Sequence, residues 1–126
     1  MVSKPIPDHE SALAVLFYAT ASGTEPVREW LQGLDKDTRK AIGADIRTVQ
    51  IGWPLGMPLV RKMGPGLWEV RSNIPSGIAR VMFTVTGEGR VMLLAHGFVK
   101  KSQQTPKSEM ETALARLKDY NERMKK

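Results

Sequence analysis

Almost all the chemistry open to this sequence rests on its nineteen Lys and Arg, a few hydroxyls and two histidines. There are no cysteines, so disulfides, iron–sulfur clusters, thiolate zinc sites and a cysteine nucleophile are excluded. His9 and His96 lie far apart in the chain, and neither a metal nor a cofactor is expected. The groups best placed for chemistry crowd into the second half: Arg71, Arg80, His96, Lys100 and Lys101.

Their spacing has a direction. Glu69 and Arg71 alternate with Trp68 and Val70, so one face of a strand there is polar and the other apolar. Further on, Arg80, Met82 and Thr84 share a face opposite Val81, Phe83 and Val85, while Met92, Leu94, His96 and Phe98 are expected to share one. If a meander aligns these faces, Arg71, Arg80 and His96 converge on one side, with Lys100 and Lys101 at the strand end.

Such a set suits a phosphodiester. Cleaving RNA needs the 2′-hydroxyl deprotonated, the charge growing on phosphorus stabilised and the 5′-oxygen protonated as it leaves. Arginines and lysines serve the second task, and a histidine or a depressed lysine serves the first or third. Neighbouring cations favour the neutral imidazole, the form that the first task, a base's, needs. Plainer roles stand beside these. Arg71 can pair with Glu69, the Arg80 stem can cover core surface, His96 can be a hydrogen-bonded structural group, and Lys100-Lys101 can simply end a strand.

The charge balance leans the same way. Nineteen basic against thirteen acidic residues give +6. Residues 1–63 hold eight basic and seven acidic groups, whereas residues 64–126 hold eleven and six, so +5 of the +6 sits in the second half. That imbalance favours a polyanionic partner, nucleic acid ahead of membrane. At 126 residues the chain fits one domain, 1–126, able to form a core without covalent staples.

The elements that must position these groups are legible in outline. Residues 1–10, with two prolines, read as a loose extension. The apolar run at residues 12–19 is far too short to span a membrane. Lys4 before it and Ala19-Thr20-Ala21 after it imitate a secretory signal, but Asp8 and Glu10 directly precede the run, so a buried strand is the better reading. Val27, Trp30, Leu31 and Leu34 mark one helix, capped by Thr24 with Pro26 in its first turn. Asp35 caps a second, carrying Ile42, Ile46 and Val49 and ended by Gly52 and Pro54; the short connection suggests a helical hairpin. Residues 53–66 read as a loop bearing Arg61 and Lys62. Strands follow at residues 67–71, 78–85 and 90–99, linked as a meander. Thr105 and Pro106 open a last helix, with Lys107 in its first turn. The order β-α-α-β-β-β-α describes an α+β fold with a mainly antiparallel sheet and packed helices.

The words in these elements are themselves informative. Gly66-Leu67-Trp68-Glu69-Val70-Arg71, Ile78-Ala79-Arg80-Val81-Met82-Phe83, Val91-Met92-Leu93-Leu94-Ala95-His96-Gly97-Phe98-Val99-Lys100-Lys101 and Thr105-Pro106 resemble, in that order, the phage-derived HigB-like toxins of the RelE/ParE toxin–antitoxin superfamily. Pro26-Val27-Arg28-Glu29-Trp30-Leu31 and Gly52-Trp53-Pro54-Leu55-Gly56-Met57-Pro58-Leu59-Val60 extend the resemblance upstream. It implies a compact domain with a twisted, mainly antiparallel sheet. It also implies a cytoplasmic, metal-independent mRNA endonuclease acting on ribosome-bound message, and a helix-turn-helix antitoxin from the adjacent gene. Contact with DNA is implied only through that antitoxin, and none with membrane. Carried over, the catalytic positions are Arg71, Arg80, His96 and Lys100, and the RNA contacts Arg61, Lys62, Lys101 and Lys107. One departure is that Gln103-Gln104 replace a stretch that commonly carries another lysine. The superfamily also contains ParE-type members that bind DNA gyrase and cleave nothing. A gyrase-binding toxin, or a degenerate protein that only binds its antitoxin, is therefore the alternative.

The basic groove yields a measurable expectation. With about four phosphates contacted, RNA affinity falls with salt at a log–log slope of about −3. Replacing Lys100 and Lys101 by Ala flattens that slope by roughly one to two units in a fluorescence-anisotropy titration, and an unchanged slope removes both lysines from the interface.

Overall fold

The computed structural model describes residues 12–125; the expected extension at residues 1–10, with His9, lies outside them. The elements run β1 (Ala14–Phe17), α1 (Pro26–Gln32), α2 (Lys36–Gly52), β2 (Val60–Gly64), β3 (Leu67–Ile74), β4 (Gly77–Thr86), β5 (Val91–Lys100) and α3 (Lys107–Met124). The sheet has the order β1-β5-β4-β3-β2. Strands β2 to β5 pair antiparallel, and β1 adds to β5 in parallel, so this is an α+β fold with a mixed five-stranded sheet.

The structure departs from expectation at both edges of the sheet. The stretch read wholly as loop contains β2, a strand the expected order lacks. Gly56 and Pro58 before it, Gly64 at its end and Pro65 and Gly66 after it mask a strand in which Val60, Arg61, Lys62 and Gly64 pair with β3, and Val60 is buried. Strand β1 is not buried along its length. It lies at the sheet edge with Ala14 and Leu16 turned to solvent, while Leu13 and Tyr18 just outside it are buried.

Each face of the sheet has its own core. On one, Val27 of α1 and Ile42, Ile46 and Val49 of α2 pack with Val70, Val81, Phe83, Met92 and Leu94. Helix α1 sits over β5 and α2 over β3, so the sheet is the main surface each buries, in place of the expected hairpin seam. Trp53, just past α2, meets Trp68 and Phe83 edge-on at centroid distances of 5.0 and 5.5 Å and closes this layer. On the other face, Ala113 and Leu117 of α3 pack with Leu67, Met82, Leu93, Ala95 and Phe98.

Of the three expected helix caps, only the one at α2 is made. The Asp35 carboxylate accepts the Thr38 N–H at 3.1 Å, and the Thr38 side chain and then that N–H hold its carboxyl below the usual carboxylate range. Thr24 does not cap α1. Glu25 occupies the N-cap without a side-chain bond, and the Thr24 N–H is taken by the Thr20 hydroxyl. Nor does Thr105 cap α3, which begins at Lys107 after an N-cap Pro106. The hydroxyl of Thr105 is used elsewhere, as described below. Farther along, α3 is fastened where Tyr18 donates to Asp119 at 2.6 Å and Arg123 bonds both Asp119 and the Ala19 carbonyl. The Tyr18 bond and then Arg123 hold the Asp119 carboxyl low, while burial and Asp119 push the Tyr18 hydroxyl up.

A bulge sets the faces of β5. Met82 pairs with His96 but Phe83 with Leu94, leaving Ala95 as an extra residue. Strict alternation would put His96 with Met92 and Leu94, as expected from the sequence. The extra residue instead turns His96 and Phe98 onto the α3 face with Leu93 and Ala95. Between them Gly97, opposite Val81, receives the Trp30 ring so closely that a Cβ there would overlap its six-membered ring. Gly97→Ala should therefore destabilise the protein by about 1–3 kcal/mol through overpacking, measured by urea denaturation. A loss below about half a kcal/mol would mean the α1 layer yields freely at Trp30.

Candidate functional site

The side chains of Glu69, Arg71 and Asn73 project from β3 on the α3 face as a polar row, running from core to rim. Glu69 is fully buried and Asn73 exposed. Arg71 stands directly opposite Arg80 of β4, so two guanidinium stems share one cross-strand pair. Like charges in that position repel. Glu69 supplies the nearby negative charge, its Oε1 3.6 Å from Arg71 Nε. Burial lowers the Arg80 pKa, Arg71 and Arg61 add to the fall, and Glu69 opposes it.

The loop after β5 closes over this row. Arg80 Nη1 donates to the Thr105 hydroxyl at 3.1 Å and Nη2 to the Ser102 carbonyl. Thr105 in turn donates to Glu69 Oε2 at 2.7 Å. Arg71 Nη2 donates to both oxygens of Gln103, the carbonyl at 2.8 Å and Oε1 at 3.0 Å. Arg61, on the same face because it pairs with Glu69, reaches the same carbonyl at 3.5 Å. Three arginines thus grip one short loop largely by its main-chain oxygens. Glu69 Oε1 and Arg80 Nε are buried without a hydrogen-bond partner.

His96 belongs to a neighbouring group on the same face. Its Nε2 lies 2.6 Å from Glu109 Oε1 and its Nδ1 3.2 Å from Arg116 Nη1. Arginine can only donate, so Nδ1 accepts and the proton sits on Nε2, facing the carboxylate. Arg116 also donates to the Ala95 carbonyl at 3.0 Å, at the bulge. The His96 ring stacks on Phe98 at 5.6 Å, and the Arg80 guanidinium lies 5.8 Å from the same Phe98 ring.

The sequence-derived set is therefore partly assembled. Arg61, Arg71 and Arg80 meet at one loop, and His96 lies beside them across Phe98. Lys100 and Lys101 are exposed where β5 runs into that loop, and Lys107 is exposed at the start of α3. Lys62 is on the other face, where it pairs with Trp68 and its Nζ lies 6.0 Å from that ring. Arg80, wholly buried, braces the loop. Glu109, Arg116 and Gln103 were not foreseen. Alternation marks Glu69 as polar but not as buried, and the Thr105-Pro106 pattern points to a helix cap. Contacts made to main-chain oxygens leave no side-chain signal.

The buried carboxylate can be tested. Glu69→Gln keeps an acceptor for Thr105 but leaves the arginine pair without its charge, and it should cost roughly 3–5 kcal/mol in urea unfolding. A cost below about 1 kcal/mol would show that the guanidiniums do not depend on it.

Residues 29–118 match the family described as Phage derived protein Gp49-like (DUF891). No curated protein matches the chain. Among the described residues, no helix is long and apolar enough to cross a membrane.

Proposed function

Since the chain belongs to the Gp49-like family of phage-derived proteins, we propose that it is the toxin of a type II toxin–antitoxin module, a HigB-like member of the RelE/ParE superfamily. In this reading it is a cytoplasmic endoribonuclease that needs no metal, cuts ribosome-bound mRNA and so blocks translation. A helix-turn-helix antitoxin from the adjacent gene neutralises it and provides its only link to DNA.

The observation that carries this reading is the meeting of Arg61 and Arg71 on one oxygen, the Gln103 carbonyl. An acceptor addressed by two guanidiniums stands in for a phosphate oxygen, and a planar fork holds phosphate better than an ammonium does. RNA displaces Gln103 from the fork, and Arg71 then stabilises the charge that builds on the scissile phosphate. Arg80 acts through the loop it braces. Lys100, Lys101 and Lys107 hold flanking phosphates from the exposed rim, and Lys62 serves only RNA that wraps the β2 edge. Proton transfer falls to Lys100, and to His96 through Nδ1 once Arg116 is drawn off.

Single-turnover cleavage on programmed ribosomes tests the assignment. Removing one charge-stabilising donor costs about 3 kcal/mol, so Arg71→Ala should be roughly 10²–10³-fold slower, with Arg71→Lys recovering part of the rate. The Arg71 side chain is only 7% exposed, so urea midpoints must accompany both rates. Full cleavage by a folded Arg71→Ala protein removes Arg71 from the chemistry. Growth arrest with DNA synthesis halted and protein synthesis intact replaces the nuclease with a gyrase-binding toxin.

A further inference from the structure

Beside the Arg71 fork lies a cleft of 220 Å³, walled by Met57, Pro58, Arg71, Asn73, Ile78 and Gln103. It is smaller than the roughly 300–1,000 Å³ of sites that enclose a whole drug-sized ligand, so it suits one flat ring system. Its walls differ in kind. Met57 is 63% exposed, Pro58 lies beside it in the chain, and Ile78 faces Asn73 across β3 and β4. A thioether and a proline ring offer a polarizable, apolar surface to an aromatic face. Asn73 and Gln103 add two carboxamides, each able both to donate and to accept. Arg71 stands at the side of the cleft, already donating to Gln103.

Other large apolar side chains are also exposed, among them Leu16, Ile51 and Leu114, but they do not line this cleft. Only here do an exposed methionine, two amides and a guanidinium share one hollow among the described cavities. Unstacked bases of single-stranded RNA are held with one face on an aromatic ring or guanidinium plane and one edge read by hydrogen bonds. Here a methionine sulfur, which also contacts aromatic rings favourably, takes the place of that platform.

We propose that this cleft is a nucleobase slot: one unstacked RNA base lies against Met57 with its edge on Asn73 and Gln103, while the phosphate attached to the same nucleotide sits at Arg71. The slot rests on the RNA reading above and adds to it the place where base preference is set. Gln103 links the two, since the phosphate that takes its place at Arg71 frees its amide to turn to the base. Asn73 is exposed, so its replacement changes the edge contacts and leaves the core alone.

The test uses the four nucleoside 5′-monophosphates as probes of the full-length, ¹⁵N-labelled protein. Some of the four should shift the side-chain amide resonances of Asn73 and Gln103 more than the others. Asn73→Ala should level the four affinities to within about twofold, and Met57→Ala should weaken all four together by about threefold or more. The same substitutions are then assayed on programmed ribosomes with messages varied at a single base, where Asn73→Ala should flatten the base preference. Amide resonances that stay in place with all four nucleotides overturn the slot, as does a base preference that Asn73→Ala leaves unaltered. Nucleotide binding by a protein that cuts no message keeps the slot and removes the nuclease. Cleavage with unmoved amides does the reverse. Resonances moved by a helical antitoxin peptide but by no nucleotide reassign the cleft to protein recognition and overturn the slot.

Discussion

Arg71 and Arg80 face each other across β3 and β4, and the buried carboxylate of Glu69 makes that register tolerable. Two guanidiniums opposite one another on a sheet would repel. Removing a single partner from a buried ionic group leaves an uncompensated charge, which is why both guanidiniums depend on the Glu69 carboxylate. The same carboxylate accepts from Thr105, and Thr105 accepts from Arg80, so the loop after β5 is joined to the ionic group on the sheet. Residual positive charge then points outward. Arg61 and the free edge of Arg71 meet over the Gln103 carbonyl, and the exposed lysines lie beyond.

The helix that roofs this face is set by a second, separable group. The bulge at Ala95 brings His96 under α3, where Glu109 and Arg116 take both ring nitrogens. Arg116 spans the Ala95 carbonyl and the imidazole, so the irregular strand and the helix are fastened at one point. Near the far end of α3, Tyr18, Asp119 and Arg123 make a second fastening. Between them Ala113 and Leu117 supply the apolar contact. The roof is thus positioned by polar bonds at two places and by packing between, which fixes where the following groups of the face must lie.

Much of this was legible in the residue pattern, for physical reasons that also mark its limits. Val27 and Trp30 announce α1, Ile42, Ile46 and Val49 announce α2, and Ala113 and Leu117 belong to a stripe that announces α3, because a helix buries side chains at three- and four-residue intervals. Trp68 to Arg71 shows the two-residue alternation that put Glu69 and Arg71 on one face, as found. Strand β2 was hidden because its pairing partner, not its own composition, makes it a strand. The His96 face was misread because one extra residue inverts everything after it, and periodicity alone contains no sign of an insertion. Thr105 was misread since its hydroxyl suits a helix cap and a buried carboxylate equally, and only the fold decides between them. The grip on Ser102 and Gln103 was beyond reach of the sequence because main-chain oxygens are the same at every residue.

That last feature bears on how this protein can change. The loop after β5 is held largely through peptide carbonyls at Ser102 and Gln103, with Thr105 as the side chain tied to the core. A mutation at 102, 103 or 104 alters what the loop displays while leaving those carbonyl anchors in place. The surface beside the Arg71 fork is therefore open to drift under selection, whereas Glu69, Arg80 and Thr105 are locked to one another. Lineages carrying this scaffold can diverge in what they recognise, one loop residue at a time, without first solving the folding problem again.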